Sequence, residues 1–208
     1  LEPQDVSYAR ELGYAIKHLG IARKSLSGVE LRVHPTLVPE QCLIAGVNDV
    51  SNAVMVNADS VGTTLFYGPG AGSEPTASAV IADIVDVART MDSYPDSWVP
   101  PLGIPSQSLQ SLSIMNIENV ETGFYIRFSA LDKPGVLSTV TTIMGDAGIS
   151  IEAIIQREQP AGESYVNVII LTNVTKEKYL DEAVKHIEEL DTVRGYVNFI
   201  RVEYLDQA

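Results

Sequence analysis

A single cysteine, Cys42, stands among 208 residues. No disulfide can close within the chain, a usage that fits a reducing compartment. Its apolar neighbours in "CLIAGV" predict a small buried residue, and no basic partner marks it as a nucleophile. Long apolar runs are missing too. No 18-residue stretch could cross a bilayer as a helix, so no membrane partner is expected. The opening "LEPQDVSYAREL" has neither the basic nor the apolar region of a signal peptide, so the expected location is cytoplasmic. An initiator Met is absent, so the numbering is expected to begin within a longer protein. Positive charge is scarce: 14 Lys and Arg face 27 Asp and Glu, a net charge of −13. Such a surface repels phosphate backbones, and no nucleic acid is expected. No block of five like charges forms an acidic tail. The three histidines, His18, His34 and His186, are far apart, and no cluster has ligand spacing, so no metal site is expected.

What is present is enough apolar material to fold: 45% of the residues are hydrophobic, room for one large domain or two small ones. Behind a candidate N-cap at Asp5, residues Tyr8, Leu12, Ala15, Leu19 and Ala22 recur at helical spacing, predicting a helix to about Lys24 that "SLSG" ends. "VELRVHP" then alternates, with Val29, Leu31 and Val33 on one face and Glu30, Arg32 and His34 on the other, a half-buried strand. An ordinary hydrogen-bonding or surface role is expected of His34. "CLIAGV" takes no assignment. "NAVMVNA" and "TTLFYG" read as strands joined by "DSVG", and a helix follows to Arg89 with Pro75 in its first turn.

From Met91 to about Glu121 the prolines 95, 100, 101 and 105 predict a linker or an extended arm, the best domain boundary in the chain. Beyond it, "FYIRFSA" points Phe124, Ile126 and Phe128 inward. A helix carries Val136, Leu137, Val140, Ile143, Met144 and Ala147 and stops at Gly148. "ISIEAIIQ" alternates at 149, 151, 153 and 155, and "SYVNVIILT" is apolar enough to be central. A second helix shows Tyr179, Leu180, Ala183, Val184, Ile187 and Leu190. The last strand, "YVNFIRVEYL", shifts its inward phase from Val197 and Phe199 to Ile200, Val202 and Tyr204, which predicts a bulge. The order is βαββαβ, the ferredoxin-like arrangement of two helices on one face of a four-stranded antiparallel sheet.

"FYGPGAGSEPTASAV", Phe66 to Val80, raises the question of a dinucleotide loop. A dinucleotide fingerprint reads G-x-G-x-x-G with an acidic residue about 20 positions on. Here Gly68 and Gly70 are followed by Ser73, and the next helix runs into the linker. The alternative is a tight turn before a helix.

A resemblance supplies a third reading. "VHPTLVP", "NAVMV", "FYGPGAGSEPTASAV" and "DIVDVAR" together resemble the C-terminal part of the catalytic region of homoserine dehydrogenase, over roughly Asp5 to Arg89. "LDKPGVLSTVTTIMGDAGISIEAIIQ" is similar to an ACT domain, a small amino-acid-binding module, over about Phe124 to Leu205. Bacterial members of this family often carry one C-terminal ACT domain, in this order. The resemblance implies an α+β chain. A partial α/β catalytic-dimerisation domain with a mixed or antiparallel sheet (1–91) leads through a Pro-rich linker (92–121) to a βαββαβ ACT domain (122–208). It implies that Gly70, Ala71 and Gly72 lie against the nicotinamide end of NAD or NADP, held in the main by a domain upstream. The family's substrate motif, ending in a lysine proposed to shuttle a proton, normally precedes a segment like "DVSYARELGYAIK". Lys17, off the apolar stripe, and Lys24, beside Arg23, are poor substitutes. This chain alone is therefore expected to be inactive, with no catalytic residue and no cofactor tightly held.

In the ACT domain, "LDKPGV" opens a helix whose N–H groups favour a carboxylate, while Asp132 could hold an ammonium group. By resemblance the effector site is lined by Asp132, Gly135, Val136, Leu137, Ser150 and Ile151, often between two paired modules. Many amino-acid-binding ACT domains carry Asn where Asp132 stands. Asp132 could instead cap the helix, and an ACT fold can serve only as an interface. Threonine is the favoured effector, and a homodimer or larger assembly is expected. The function implied is NAD(P)-dependent interconversion of aspartate semialdehyde and homoserine in the parent protein. The alternative is a stand-alone amino-acid-binding and oligomerisation module without catalysis.

Overall fold

The computed structural model describes residues 1–25, 28–91, 99–100, 103–157 and 164–205. It falls into two compact units, one of Leu1–Ala45 with Ser113–Gln207 and one spanning Gly46–Leu112.

The first unit opens with helix α1 (Pro3–Glu11) and a hairpin of β1 (Tyr14–Ser25) and β2 (Gly28–Pro39). The helix expected to reach Lys24 therefore stops thirteen residues earlier than its pattern predicts. Gly13 sits at φ +81°, a left-handed conformation that glycine adopts without a Cβ clash, and it turns the chain out of the helix. The apolar residues that suggested a helix also fit a strand, because a spacing of four is a multiple of two. Ala15 and Leu19 accordingly pack together with Val38 and Cys42. Twelve consecutive antiparallel pairs, Tyr14↔Pro39 to Ser25↔Gly28, outweigh the helical spacing. The expected "SLSG" stop is the hairpin connection, and Leu26 and Ser27 within it lie outside the described residues. Asp5 is not the N-cap, which falls at Glu2. It accepts the Glu2 N–H from inside the first turn at 2.7 Å.

The C-terminal part adds β5 (Glu121–Leu131), α3 (Val136–Asp146), β6 (Ile151–Gln156), β7 (Tyr165–Thr172), a two-residue β8 (Thr175–Lys176), α4 (Glu177–Glu188) and β9 (Val193–Val202). The sheet order is β1-β2-β9-β5-β7-β6, with β8 on β5. Strands β9-β5-β7-β6 are mutually antiparallel and form the expected ferredoxin-like sheet. The hairpin extends it through a short parallel seam, Thr36↔Arg201 and Leu37↔Val202. The sheet is therefore mixed.

Both faces of this sheet are covered. Helices α3 and α4 bury Phe124, Ile126, Phe128, Val168 and Ile170 on one side. On the other, Tyr8, Ala9 and Leu12 of α1 pack on Tyr125, Ile169, Leu171 and Ile200. This two-sided burial explains two departures from the expected patterns. The phase change in β9 is simply its two faces: Val197 and Phe199 meet α3 and α4, while Ile200, Val202 and Tyr204 meet α1. A bulge exists, but earlier, where Arg127↔Asn198 gives way to Ser129↔Arg194. In β6, Ile151 pairs with Thr172 and Ala153 with Leu171, so one extra residue intervenes. The bulge sends Ile151 to one core and Ala153 and Ile155 to the other, instead of the single face that alternation predicts.

Strand β2 reverses its expected faces. Glu30, Arg32, His34 and Thr36 are buried, whereas Leu31 and Val33 are 54% and 74% exposed. Inward charges are tolerable because they are paired: Arg32 reaches Glu203 at 2.6 Å and Glu30 at 2.9 Å, and Arg23 reaches Glu203 at 2.9 Å.

The second unit holds the expected hairpin, β3 (Ser51–Ala58) with β4 (Gly62–Pro69), and helix α2 (Ser73–Thr90), which has Pro75 in its first turn. No residue of α2 is buried. The unassigned "CLIAGV" forms a 3-10 turn at Leu43–Gly46. The expected linker includes residues 92–98 and 101–102, which lie outside those described. Farther along, 3-10 turns form at Ser106–Ser108 and Ile117–Asn119, and Ile114 bridges to Val29.

Candidate functional site

The loop after β5 is built for exposure. Asp132 donates its backbone N–H to Ser164 O at 3.1 Å, and Gly135 becomes the N-cap of α3 at φ +92°. A side chain at that position would strain, and glycine leaves the helix mouth bare. No side chain caps α3. The possibility that Asp132 caps the helix is thus not realised. Its Oδ1 instead accepts from Gln156 Nε2 at 3.0 Å, at the far end of β6. The mouth of α3 and an exposed carboxylate are left open together.

The remaining expected effector residues divide. Val136 is buried in the core, with Leu137 and Ile151 packed against it. Ser150 is exposed, and its Oγ accepts from Asn173 Nδ2 at 2.9 Å. Ser150 precedes β6 and Gln156 ends it, so a strand rise of about 3.3 Å per residue separates them by roughly 20 Å. Within one chain, Asp132 and Ser150 do not meet. Gln156 and Asn173, which hold these two side chains, were not singled out in the sequence. The signal for Gln156 was its position as the polar stop of an apolar strand.

The glycine loop lies in the second unit, with Gly70, Ala71 and Gly72 all exposed. A Cβ at Gly70 would fall 1.9 Å from Nδ2 of the exposed Asn52 side chain in the same hairpin, which would have to turn aside. Gly72 is the N-cap of α2, with no side-chain cap. The loop therefore offers a bare helix mouth to an outside group, and Gly72 sits at φ +121°, a conformation that favours glycine. The residues suit a contact with a cofactor ring rather than a complete cradle.

Other candidates resolve as packing. Cys42 is buried beside Val38 and Ala45. His34 Nδ1 lies 3.1 Å from Pro35 O and 3.0 Å from Thr36 Oγ1. Burial holds the His34 imidazole below its ordinary pKa, with Arg201 and Arg32 adding to the effect. Lys17, Lys24 and His18 sit on β1 rather than on a helix, and His186 lies on α4. Among the described residues, no group of His, Cys, Asp and Glu could hold a metal, and no helix is long and apolar enough to cross a membrane.

One buried polar group went unanticipated. Asp5 of α1 accepts from Arg127 Nε at 2.5 Å and from Tyr125 Oη at 3.1 Å. Burial alone would raise the Asp5 carboxyl, but Arg127, the Glu2 amide and Tyr125 outweigh it and hold it below its usual value. Burial, together with the adjacent Asp5, pushes the Tyr125 hydroxyl upward.

Comparison with known proteins matches two stretches of the chain. Residues 1–85 match the family model for homoserine dehydrogenase and residues 124–192 that for the ACT domain. The homoserine dehydrogenase of Pseudomonas aeruginosa is 50% identical over 206 residues, 99% of this chain and 48% of that protein. That of Neisseria gonorrhoeae is 44% identical over 99% of this chain and 47% of its own length. A homoserine dehydrogenase crystal structure from Thiobacillus denitrificans superposes with a TM-score of 0.89 at 51% identity, covering 98% of this chain and 46% of that one. The class is a homoserine dehydrogenase family region followed by an ACT domain. The chain belongs to the homoserine dehydrogenase family as a C-terminal fragment, spanning about half the length of the curated relatives it matches.

Proposed function

We propose that this chain is the regulatory and dimerising part of an NAD(P)-dependent homoserine dehydrogenase, which interconverts aspartate semialdehyde and homoserine. The nicotinamide, bound mainly by the upstream domain, supplies the hydride. In this chain Gly70, Ala71 and Gly72, beside the uncapped first turn of α2, would be the residues that contact it. The ACT domain binds a small amino acid, with threonine the first candidate. The observation that carries this reading is the bare N-terminus of α3 at Gly135 next to the exposed Asp132 carboxylate. The first accepts a carboxylate and the second an ammonium group, the two ends every free amino acid presents. Because Ser150 lies at the other end of β6, it and Ile151 reach such a ligand only from a second copy, which favours a homodimer or larger assembly. The reducing compartment suggested by its one cysteine makes the cytoplasm the place of work.

Calorimetry with threonine, isoleucine, methionine and lysine tests the reading. Threonine is expected to bind, and Asp132→Ala to weaken it about ten- to a hundredfold, the loss of one charge-assisted hydrogen bond. If none of the four binds below the millimolar range, the effector reading is wrong.

A further inference from the structure

Helix α1 is fixed to the ACT sheet at both ends, by unlike contacts. Its first turn is held by the buried Asp5–Arg127 pair, with Tyr125 beneath. Its last turn is held at the surface: Arg157 pairs with Glu11 and lies over the Tyr8 ring, 5.6 Å from its centroid. Arg157 is the residue after Gln156, and Gln156 is bonded to Asp132. The carboxylate at the mouth of α3 and the cation that clamps α1 are thus attached to adjacent residues at the end of one strand.

We infer that the end of β6 couples the Asp132 loop to the last turn of α1 through Gln156 and Arg157. This rests on the proposed effector site in one respect only, that an amino acid is what captures Asp132. A ligand ammonium that takes up Asp132 Oδ1 competes with Gln156 Nε2 for the same acceptor. The Gln156 side chain then loses its partner while its backbone stays paired with Val168; Arg157, the first residue past that last pair of the strand, shifts as the side chain reorients, and Glu11 and Tyr8 lose their cation. The buried Asp5 end stays in place, because separating that pair strands a charge inside the protein. The surface end can move, because an exposed ion pair contributes little. The first turn of α1 is the pivot and the last turn the part that responds.

The contact can be tested without knowing the ligand. The amides of Leu12 and Gly13, bonded to Tyr8 O and Arg10 O at 3.0 Å each, report the last turn by hydrogen exchange. Asp132→Ala and Arg157→Ala each alter an exposed side chain, so both variants should fold. Each is expected to accelerate exchange of these two amides about two- to fivefold, the range an exposed ion pair allows. The double variant should be no faster than either single one, because both break the same path. Unchanged exchange in Asp132→Ala, or effects that multiply in the double variant, would overturn the coupling. Threonine is the ligand probe. Acceleration on saturation supports both readings, and binding without acceleration overturns the coupling. Absence of threonine binding, with the Asp132→Ala effect intact, leaves the coupling standing and removes threonine as effector.

Discussion

The two compact units differ in what they bury. The first encloses both faces of its sheet, and Phe124, Ile126, Tyr125, Leu37 and Ile187 lose all contact with solvent. The second buries almost nothing: Phe66 is 63% exposed, Val54 63%, and Ile84 on α2 58%. An amphipathic helix with no buried residue has its pattern but not its partner. One unit thus has the ingredients of independent stability, and the other carries a surface meant to be covered. The apolar run of β7 belongs to the first kind. Val168 and Ile170 face α3 and α4, and Ile169 and Leu171 face α1. The exposed Leu31 and Val33 of β2 belong to the second kind, although they sit in the first unit.

The largest expected effect lies in the enclosed unit. Asp5→Ala leaves the buried Arg127 guanidinium with only the half-exposed Glu2 carboxylate, 3.0 Å away, which should cost up to about 3–5 kcal/mol in chemical unfolding. A loss under about 1 kcal/mol would mean that α1 is not anchored there and that the sheet's second face is open. The Asp5 carboxyl is depressed in the fold, so its contribution is present above its ordinary pKa of 3.8 and disappears as pH falls through the lower folded value.

A smaller effect tests the seam between β2 and β9. The His34 imidazole, near Arg32, Arg201 and Glu203, is held below the ordinary 6.5, so the unfolded chain binds the proton more readily. Stability should therefore be full above pH 6.5 and decline as pH falls below it, by at most about 1.4 kcal/mol per pH unit for a single proton. Unfolding midpoints measured between pH 5 and 8 should show this slope, and His34→Phe should flatten it. An equal slope in that variant would assign the proton to another group.

How much of this was legible depended on which forces were local. The ACT order could be read because each element carries its own signal, such as the alternation in "FYIRFSA" or the stripe from Leu180 to Ile187. The α1–β1 region misled because Ala15 and Leu19 satisfy periods of two and four alike, and only the twelve-pair partner β2 decides between them. The faces of β2 misled because Glu30 and Arg32 become suitable core residues only beside Glu203, more than 170 positions away. The loop proposed to hold an amino acid was recognisable from Pro134, Gly135 and the helix behind them. The separation of Asp132 from Ser150 was not, since it follows from the length and direction of β6.

The smallest expected effect sharpens the contrast most. Ile84 and Ile187 are the same residue on helices, one 58% exposed and the other fully buried. Ile187→Ala removes atoms from a closed core and should cost about 2–5 kcal/mol. Ile84→Ala removes atoms that face water in this chain and should change stability by no more than about 0.5 kcal/mol. The same Ile84→Ala change in the longer parent is the informative partner measurement. If the upstream half covers α2, the cost there should rise above 1 kcal/mol, toward the range for buried positions. An equally small effect in both proteins would show that α2 stays open to solvent in the parent too. The bare helix mouth at Gly72 would then have no wall of protein opposite it against which to hold a cofactor ring.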